Sequence, residues 1–260
     1  MVSYHFVNPS EGRIFVIPED LFTPGLLLAA AIAALGGTLR GFAGTGNSML
    51  MTPLYALIFG PVATVAFIVL FDVAIAIPIM RHAFRLARWR VVLPLAIASW
   101  ITIPVGIWLL IYIDPDIMKK VMAVAVLMFS LLLLSGWRYR GTVSRPLTIC
   151  VGLITGVSVG ATALGGPIYN LYILNSPGDH HAHRAAFNSL ITLTASGVLI
   201  SLILNDAIAV VTLWQAAVIF PVFATFIWVG SHLFRRANEE IFRRTVLMVL
   251  VVMGLVILLA

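Results

Sequence analysis

The apolar stretch from Leu21 to Gly60 is too long for one membrane span, and it is broken at Arg40-Gly41-Phe42-Ala43-Gly44-Thr45-Gly46-Asn47-Ser48. A second break, Gly160-Ala161-Thr162-Ala163-Leu164-Gly165-Gly166-Pro167, interrupts the apolar run from Leu147 to Leu174. Laid over each other at a spacing of 119 residues, Gly37, Gly41 and Gly46 fall on Gly156, Gly160 and Gly165. Glycine at mid-membrane depth lets the backbone leave the helix and turns N–H groups toward a ligand rather than lipid. Paired breaks in the two halves of a membrane protein mark a transport site near the midplane.

Composition agrees with that setting. Hydrophobic residues are 61% of the 260-residue chain and charged residues 10%, against about 45–50% and about 25% in soluble domains. The net charge of +6 sits in short arginine clusters between apolar runs, which is membrane topology and not a nucleic-acid surface. A single cysteine, Cys150, excludes a disulfide framework. Residues 1–20 lack a basic region leading directly into an apolar stretch and a small-residue cleavage site, so they read as a polar leader and not a cleaved signal.

The chain divides into that leader, a first transmembrane repeat (21–136), a linker (137–146) and a second repeat (147–260). In the first, spans Pro61–Met80, Val91–Ile113 and Val121–Gly136 follow the broken stretch; in the second, Phe187–Leu204, Ala207–Gly230 and Thr245–Ala260 do. If loops 81–90, 137–146, 175–186 and 231–244 are cytoplasmic, that side carries 12 of the 16 lysines and arginines, as the positive-inside rule requires. Each broken stretch must then begin and end on the same side. It is expected to be a hairpin with its glycines near the tip, and the two repeats to be inverted. The arms Leu147–Val159 and Pro167–Leu174 reach only about 20 Å or less, short of about 30 Å of hydrocarbon. One long tilted helix per broken stretch is the competing arrangement; it places Arg235–Arg244 outside.

The helices that start after the breaks present unpaired N–H groups and positive dipole ends. Pro167 suits a first helical turn, and Asn47 or Ser48 a cap. Two such ends meeting form an anion site. Thr45, Asn47, Ser48, Thr162, Tyr169 and Asn170 can add side-chain hydrogen bonds, and Gly44, Gly46, Gly165 and Gly166 form ligand loops. Gly37–Gly41 and Gly156–Gly160 also have the spacing of close helix packing. Arg40 adds a planar cation suited to carboxylate, sulfonate or sulfite oxygens, or pairs with Asp72, or snorkels to an interface. Asp72 is the one acid placed deep in the membrane, a candidate proton carrier or a partner for Arg40. Asp179, His180, His181 and His183 have metal-ligand types but no supporting second set, so they read as a loop, and no metal or other cofactor is expected.

The pattern Gly41-x-x-Gly44-x-Gly46-Asn47 with Pro53, and Gly160-x-x-Ala163-x-Gly165-Gly166-Pro167, resembles the paired glycine motifs of the sulfite exporter TauE/SafE family. Arg88-Trp89-Arg90, Pro104-Val105-Gly106, His183-Arg184-Ala185 and Arg243-Arg244 agree in order along nearly the whole chain. The resemblance implies a permease for small organosulfur anions such as sulfite or sulfoacetate, coupled to protons or charge. It places Gly41, Gly44, Gly46, Gly160, Gly165, Gly166 and Pro167 along the site. Asn47 stands where a third glycine is usual, and Ala163 where the second copy has glycine; both bear on substrate choice.

The expected protein is therefore an all-α polytopic membrane protein of two inverted repeats, each a glycine-broken hairpin plus three transmembrane helices. Its expected activity is secondary transport of a small anion across the cytoplasmic membrane. An anion channel on the same scaffold is the alternative. An intramembrane enzyme lacks any Ser/His or paired-carboxylate arrangement at depth, and direct ATP drive needs a partner because no G-x-x-x-x-G-K loop is present. The bilayer is the one large partner implied, and a homodimer suits so small a unit.

Overall fold

The computed structural model describes residues 24–44, 46–135, 145–173, 180–233 and 239–259. The leader, Thr45, most of the 137–146 linker with Arg138 and Arg140, and the Asp179 and Arg235–Arg236 positions lie outside these residues, as do the side chains of His180, His181, Arg243 and Arg244. Ten helices and no strand occur among the described residues: α1 (Pro24–Ala43), α2 (Asn47–Phe59), α3 (Pro61–Leu86), α4 (Trp89–Tyr112), α5 (Pro115–Leu134), α6 (Arg145–Thr162), α7 (Gly166–Ile173), α8 (His180–Leu204), α9 (Val210–Leu233) and α10 (Glu239–Leu259). Seven are long and apolar enough to cross a membrane, so the chain is a multi-pass, all-helical membrane protein.

Both broken stretches fold back on themselves. In a continuous helix Ala29 and Tyr55 would stand about 39 Å apart, yet the Tyr55 hydroxyl donates to the Ala29 carbonyl at 2.9 Å. Thr148 and Tyr172, on either side of the second break, share a hydrogen bond through their hydroxyls. The long tilted helix is thereby excluded. The arms are unequal, however. With 20 and 18 residues, α1 and α6 reach about 30 and 27 Å, so both are long enough to be spans. Only α2 and α7, of 13 and 8 residues, are short. The expectation of a short first arm in the second hairpin stopped that arm at Val159, where the helix in fact runs on to Thr162.

Other boundaries move for a similar reason: polar residues at a membrane surface still satisfy a helical backbone. The expected basic loop 81–90 shrinks to Ala87 and Arg88 between α3 and α4, and the helix of α8 already starts at His180 inside the expected loop 175–186. Helix α5 starts at Pro115, before the two lysines, because the Asp114 carboxylate caps the N–H groups of Asp116 and Ile117.

Each hairpin's long arm packs on a helix of the other half. Along α1, a methyl at Gly37 would overlap the Phe223 carbonyl, and one at Gly41 the Ile227 carbonyl of α9. Along α6, Gly152 meets Leu95, Gly156 meets Ser99 and Gly160 meets Ile103 of α4. Both contacts advance in the same direction on both helices, so α1 runs parallel to α9 and α6 parallel to α4. The glycines are returned from the other side by Gly230 against Thr38 and Gly106 against Val157. Lipid tails are as apolar as leucine side chains, so such backbone approach, and not apolar burial, holds membrane helices together. Hydroxyls add to it: Ser99 Oγ meets the Gly152 carbonyl at 2.9 Å, and Thr102 Oγ1 the Leu153 carbonyl at 2.7 Å.

Between these pairs stand α3 and α8. Phe67 and Phe71 of α3 are fully buried; Phe67 meets Tyr55 edge-on at 5.4 Å, and Phe71 stacks on Phe223 at 5.0 Å. This aromatic column fixes α3 against α2 and α9, and so fixes where Asp72 points.

Candidate functional site

Arg40 occupies the last turn of α1. There the chain leaves the helix with Gly44 at φ 72° and Gly46 at φ 95°, a left-handed backbone that costs a side chain about 1–2 kcal/mol. Helix α2 then begins at Asn47. Gly46 occupies the capping position without any side-chain cap, which corrects the expectation that Asn47 or Ser48 caps the helix. Asn47 is drawn elsewhere. Arg40 Nη1 donates to Asn47 Oδ1 at 3.0 Å and to Asp72 Oδ1 at 2.6 Å, and Asn47 Nδ2 lies 3.4 Å from the same carboxylate oxygen.

All three side chains are buried, at 8% exposure for Arg40, 3% for Asn47 and 7% for Asp72. Arg40 therefore pairs with Asp72 and does not snorkel to an interface. A buried carboxylate or guanidinium is tolerated only when partnered, and here each partners the other. Only Nη1 of the guanidinium is engaged by the described residues, which leaves the Nη2 and Nε donors without an acceptor among them.

The second break is built differently. Ala163 takes the left-handed conformation at φ 59°, the position equivalent to Gly44. A methyl at Gly165 would overlap Val159 Cγ2, so this glycine supplies room. Gly166 opens α7 and Pro167 follows it in the first turn, where a missing N–H costs nothing.

The two breaks meet across a cavity. Arg40, Gly46, Asn47, Ser48 and Asp72 line it from the first half. Ala163, Gly165 and Gly166 line it from the second break. Val69, Val159, Phe187, Ile191, Thr194 and Ala195 complete the wall. Its volume is about 20 Å³, room for one or two waters as it stands.

Other expected site residues lie off the cavity. Gly41 and Gly160 remain helical and face Ile227 and Ile103. Thr162 closes α6: its hydroxyl donates to the Ser158 carbonyl at 2.7 Å, and its carbonyl accepts from Thr52 Oγ1 of α2 at 3.2 Å. Tyr169 is fully buried with its hydroxyl 2.9 Å from Ser99 Oγ. Pro167 is buried and Asn170 half-buried on α7, neither on the cavity wall. Sequence reasoning missed Val69, Val159, Phe187, Ile191, Thr194 and Ala195. The last four fall at 187, 191, 194 and 195, one face of a helix, but an apolar stripe of that kind looks the same whether it faces a core or a cavity.

The protein-family model described as Sulfite exporter TauE/SafE matches residues 29–257. No curated protein and no solved structure matches the chain. The chain belongs to the sulfite exporter TauE/SafE family.

Proposed function

We propose that this member of the sulfite exporter TauE/SafE family is a secondary transporter that moves a small anion, sulfite or an organosulfur relative, through the cavity between the two breaks. The observation that carries the reading is the buried Arg40–Asn47–Asp72 cluster on the wall of that cavity. A buried guanidinium that keeps two donor groups unengaged among the described residues beside its partner Asp72 offers the chemistry an anion requires. Gly44, Gly46, Ser48, Gly165 and Gly166 shape the surrounding backbone in this reading, and Thr45 remains a sequence-based candidate outside the described residues.

Asp72 supplies the coupling. While ionised it holds Arg40 and the pair is neutral, so an entering anion competes with a carboxylate 2.6 Å away. A proton on Asp72 removes that competitor and leaves Arg40 as a cation for the substrate. Anion and proton then occupy the site together, and the ion pair returns once both have left.

The repeats are inverted in this reading. Parallel packing of α1 on α9 and of α6 on α4 supports it: α3, α4 and α5 must reverse at each turn to stay in the bilayer, so α6 runs opposite to α1. In this reading loops 81–90, 137–146, 175–186 and 231–244 share one side, which their lysines and arginines assign to the cytoplasm. A carrier is preferred to an open channel in this reading, because a site that opens alternately to each side needs no continuous path.

Reconstitution into proteoliposomes tests this. Wild-type protein is expected to take up sulfite saturably and to acidify the lumen. Arg40→Gln should lower uptake about 30-fold or more, the loss expected for a charge-paired ligand, and Asp72→Asn should keep anion binding while losing the pH signal. Uptake that is unaffected by Arg40→Gln, or that is purely voltage-driven and never saturates, would sink the proposal.

A further inference from the structure

We infer that the arginine-bearing end of the α4–α6 seam, cytoplasmic in the topology proposed above, binds the phosphate of an anionic lipid headgroup between Arg88 and Arg145. The site lies apart from the cavity and does not depend on what the cavity carries.

The seam sets the geometry. Gly152 meets Leu95, Gly156 meets Ser99 and Gly160 meets Ile103, a constant offset of 57 residues between two parallel helices. Seven residues make nearly two helical turns and return to the same face. Arg145 stands seven residues before Gly152, and Arg88 seven before Leu95. The register therefore holds the two arginines level with each other, on facing sides of helices whose axes pack about 8–10 Å apart. Both are exposed. Among the described residues neither meets a carboxylate, since the ion pairs there are Arg40–Asp72 and Asp116–Lys119. Arg85 and Arg90, also exposed, flank Arg88 in the chain. Positive-inside topology asks only that arginines lie on this side. It does not ask that two of them be fixed side by side by a backbone seam, where like charges repel. An anion between them turns that repulsion into attraction.

The surroundings identify that anion as a lipid. Trp89, beside Arg88, donates its indole N–H to the Phe84 carbonyl at 2.9 Å and packs edge-on against the Phe84 ring at 5.1 Å, with part of its surface exposed. An indole held in this way at the end of a membrane span marks the headgroup level. Deeper along the same two helices, Leu93, Ile97 and Ile101 of α4 and Ile149 and Ile154 of α6 are exposed, an apolar surface for acyl chains. Guanidinium forks pair with phosphate oxygens two at a time, and basic pockets between transmembrane helices on this side of a membrane take anionic headgroups. A free phosphate would use the arginines alone; a phospholipid uses both parts of the surface.

The test titrates dihexanoyl phosphatidylglycerol into the purified protein and follows thermal unfolding, with dihexanoyl phosphatidylcholine and inorganic phosphate in parallel. Phosphatidylglycerol is expected to stabilise the protein saturably, and the other two to do little. Arg88→Gln and Arg145→Gln should each weaken phosphatidylglycerol binding about fivefold, and the double variant about 25-fold. Arg184→Gln, which removes the same charge near the start of α8, should change it less than about twofold. All three arginines are exposed, so these substitutions leave the packed interior alone. If Arg184→Gln weakens binding as much as Arg88→Gln does, the lipid answers to overall charge and the seam site is overturned. Equal stabilisation by phosphatidylcholine overturns it as well. If inorganic phosphate stabilises as strongly and loses its effect in the double variant, the arginines hold a free anion and the lipid assignment falls.

Discussion

At the first break, the residue one turn before the kink is Arg40; at the second, the equivalent residue is Val159, and both face the same cavity. Asn47 opens α2 where Gly166 opens α7. The packing glycines, by contrast, are copied: Gly37 and Gly41 against Phe223 and Ile227 repeat Gly156 and Gly160 against Ser99 and Ile103. Backbone contact admits no substitute, because the space is set by main-chain atoms, so both halves keep it. The charged cluster stands at one break alone, and a second cation facing the same small cavity would repel the first. The halves share a scaffold and divide the chemistry.

The largest effect should come from making the first half like the second. Arg40→Val alone leaves Asp72 buried and unpaired, at an expected cost of about 3–5 kcal/mol. Arg40→Val with Asp72→Ile should regain most of that stability and transport nothing, as measured by detergent thermal unfolding and liposome uptake. If the double variant stays as unstable as the single one, the ion pair is part of the scaffold, and the division fails.

Next, Gly41→Val and Gly160→Val should each cost about 3 kcal/mol or more, since the added side chain meets backbone rather than a movable side chain. A large asymmetry between them in the yield of monodisperse protein would break the claim that the packing is duplicated.

Opposite signs are expected at the kinks. Ala163→Gly relieves a left-handed alanine and should stabilise by about 1 kcal/mol, while Gly44→Ala should destabilise by about as much. Space does not interfere at Gly44, where an added methyl would meet nothing within 4 Å. Equal melting temperatures for all three proteins would show that the two kinks are not held alike. The smallest effect belongs to Thr52→Val, which removes the bond from α2 to the Thr162 carbonyl at the end of α6 and should cost about 1 kcal/mol.

Most of this organisation was legible in the sequence. Glycine has no reason to cluster in apolar spans except at a break or a close approach, so both hairpins announced themselves. The two uses of glycine were harder to separate. Gly41 and Gly160 belong to the packing series spaced four apart, Gly37–Gly41 and Gly156–Gly160, and the actual kinks come three residues later at Gly44 and Ala163. Tyr169 was placed near the ligand by its position after the break, but a hydroxyl in a membrane interior goes to the nearest acceptor, and Ser99 is there. Asn47 looked like a cap until a guanidinium within reach took its side chain, a contact from Arg40 that local sequence can suggest but not rank.

The exchange of arms between halves also sets a timetable for assembly. Helix α1 leaves the ribosome early, but its glycine seam fits Phe223, Ile227 and Gly230, about 190 residues downstream, or roughly 10–40 s of synthesis. Until then the seam faces lipid or a chaperone. Helix α6 finds α4 already inserted and docks at once. A chain halted before α9 would hold a complete second hairpin and an orphaned first one, so the half that carries the charged cluster is the last to be locked in place.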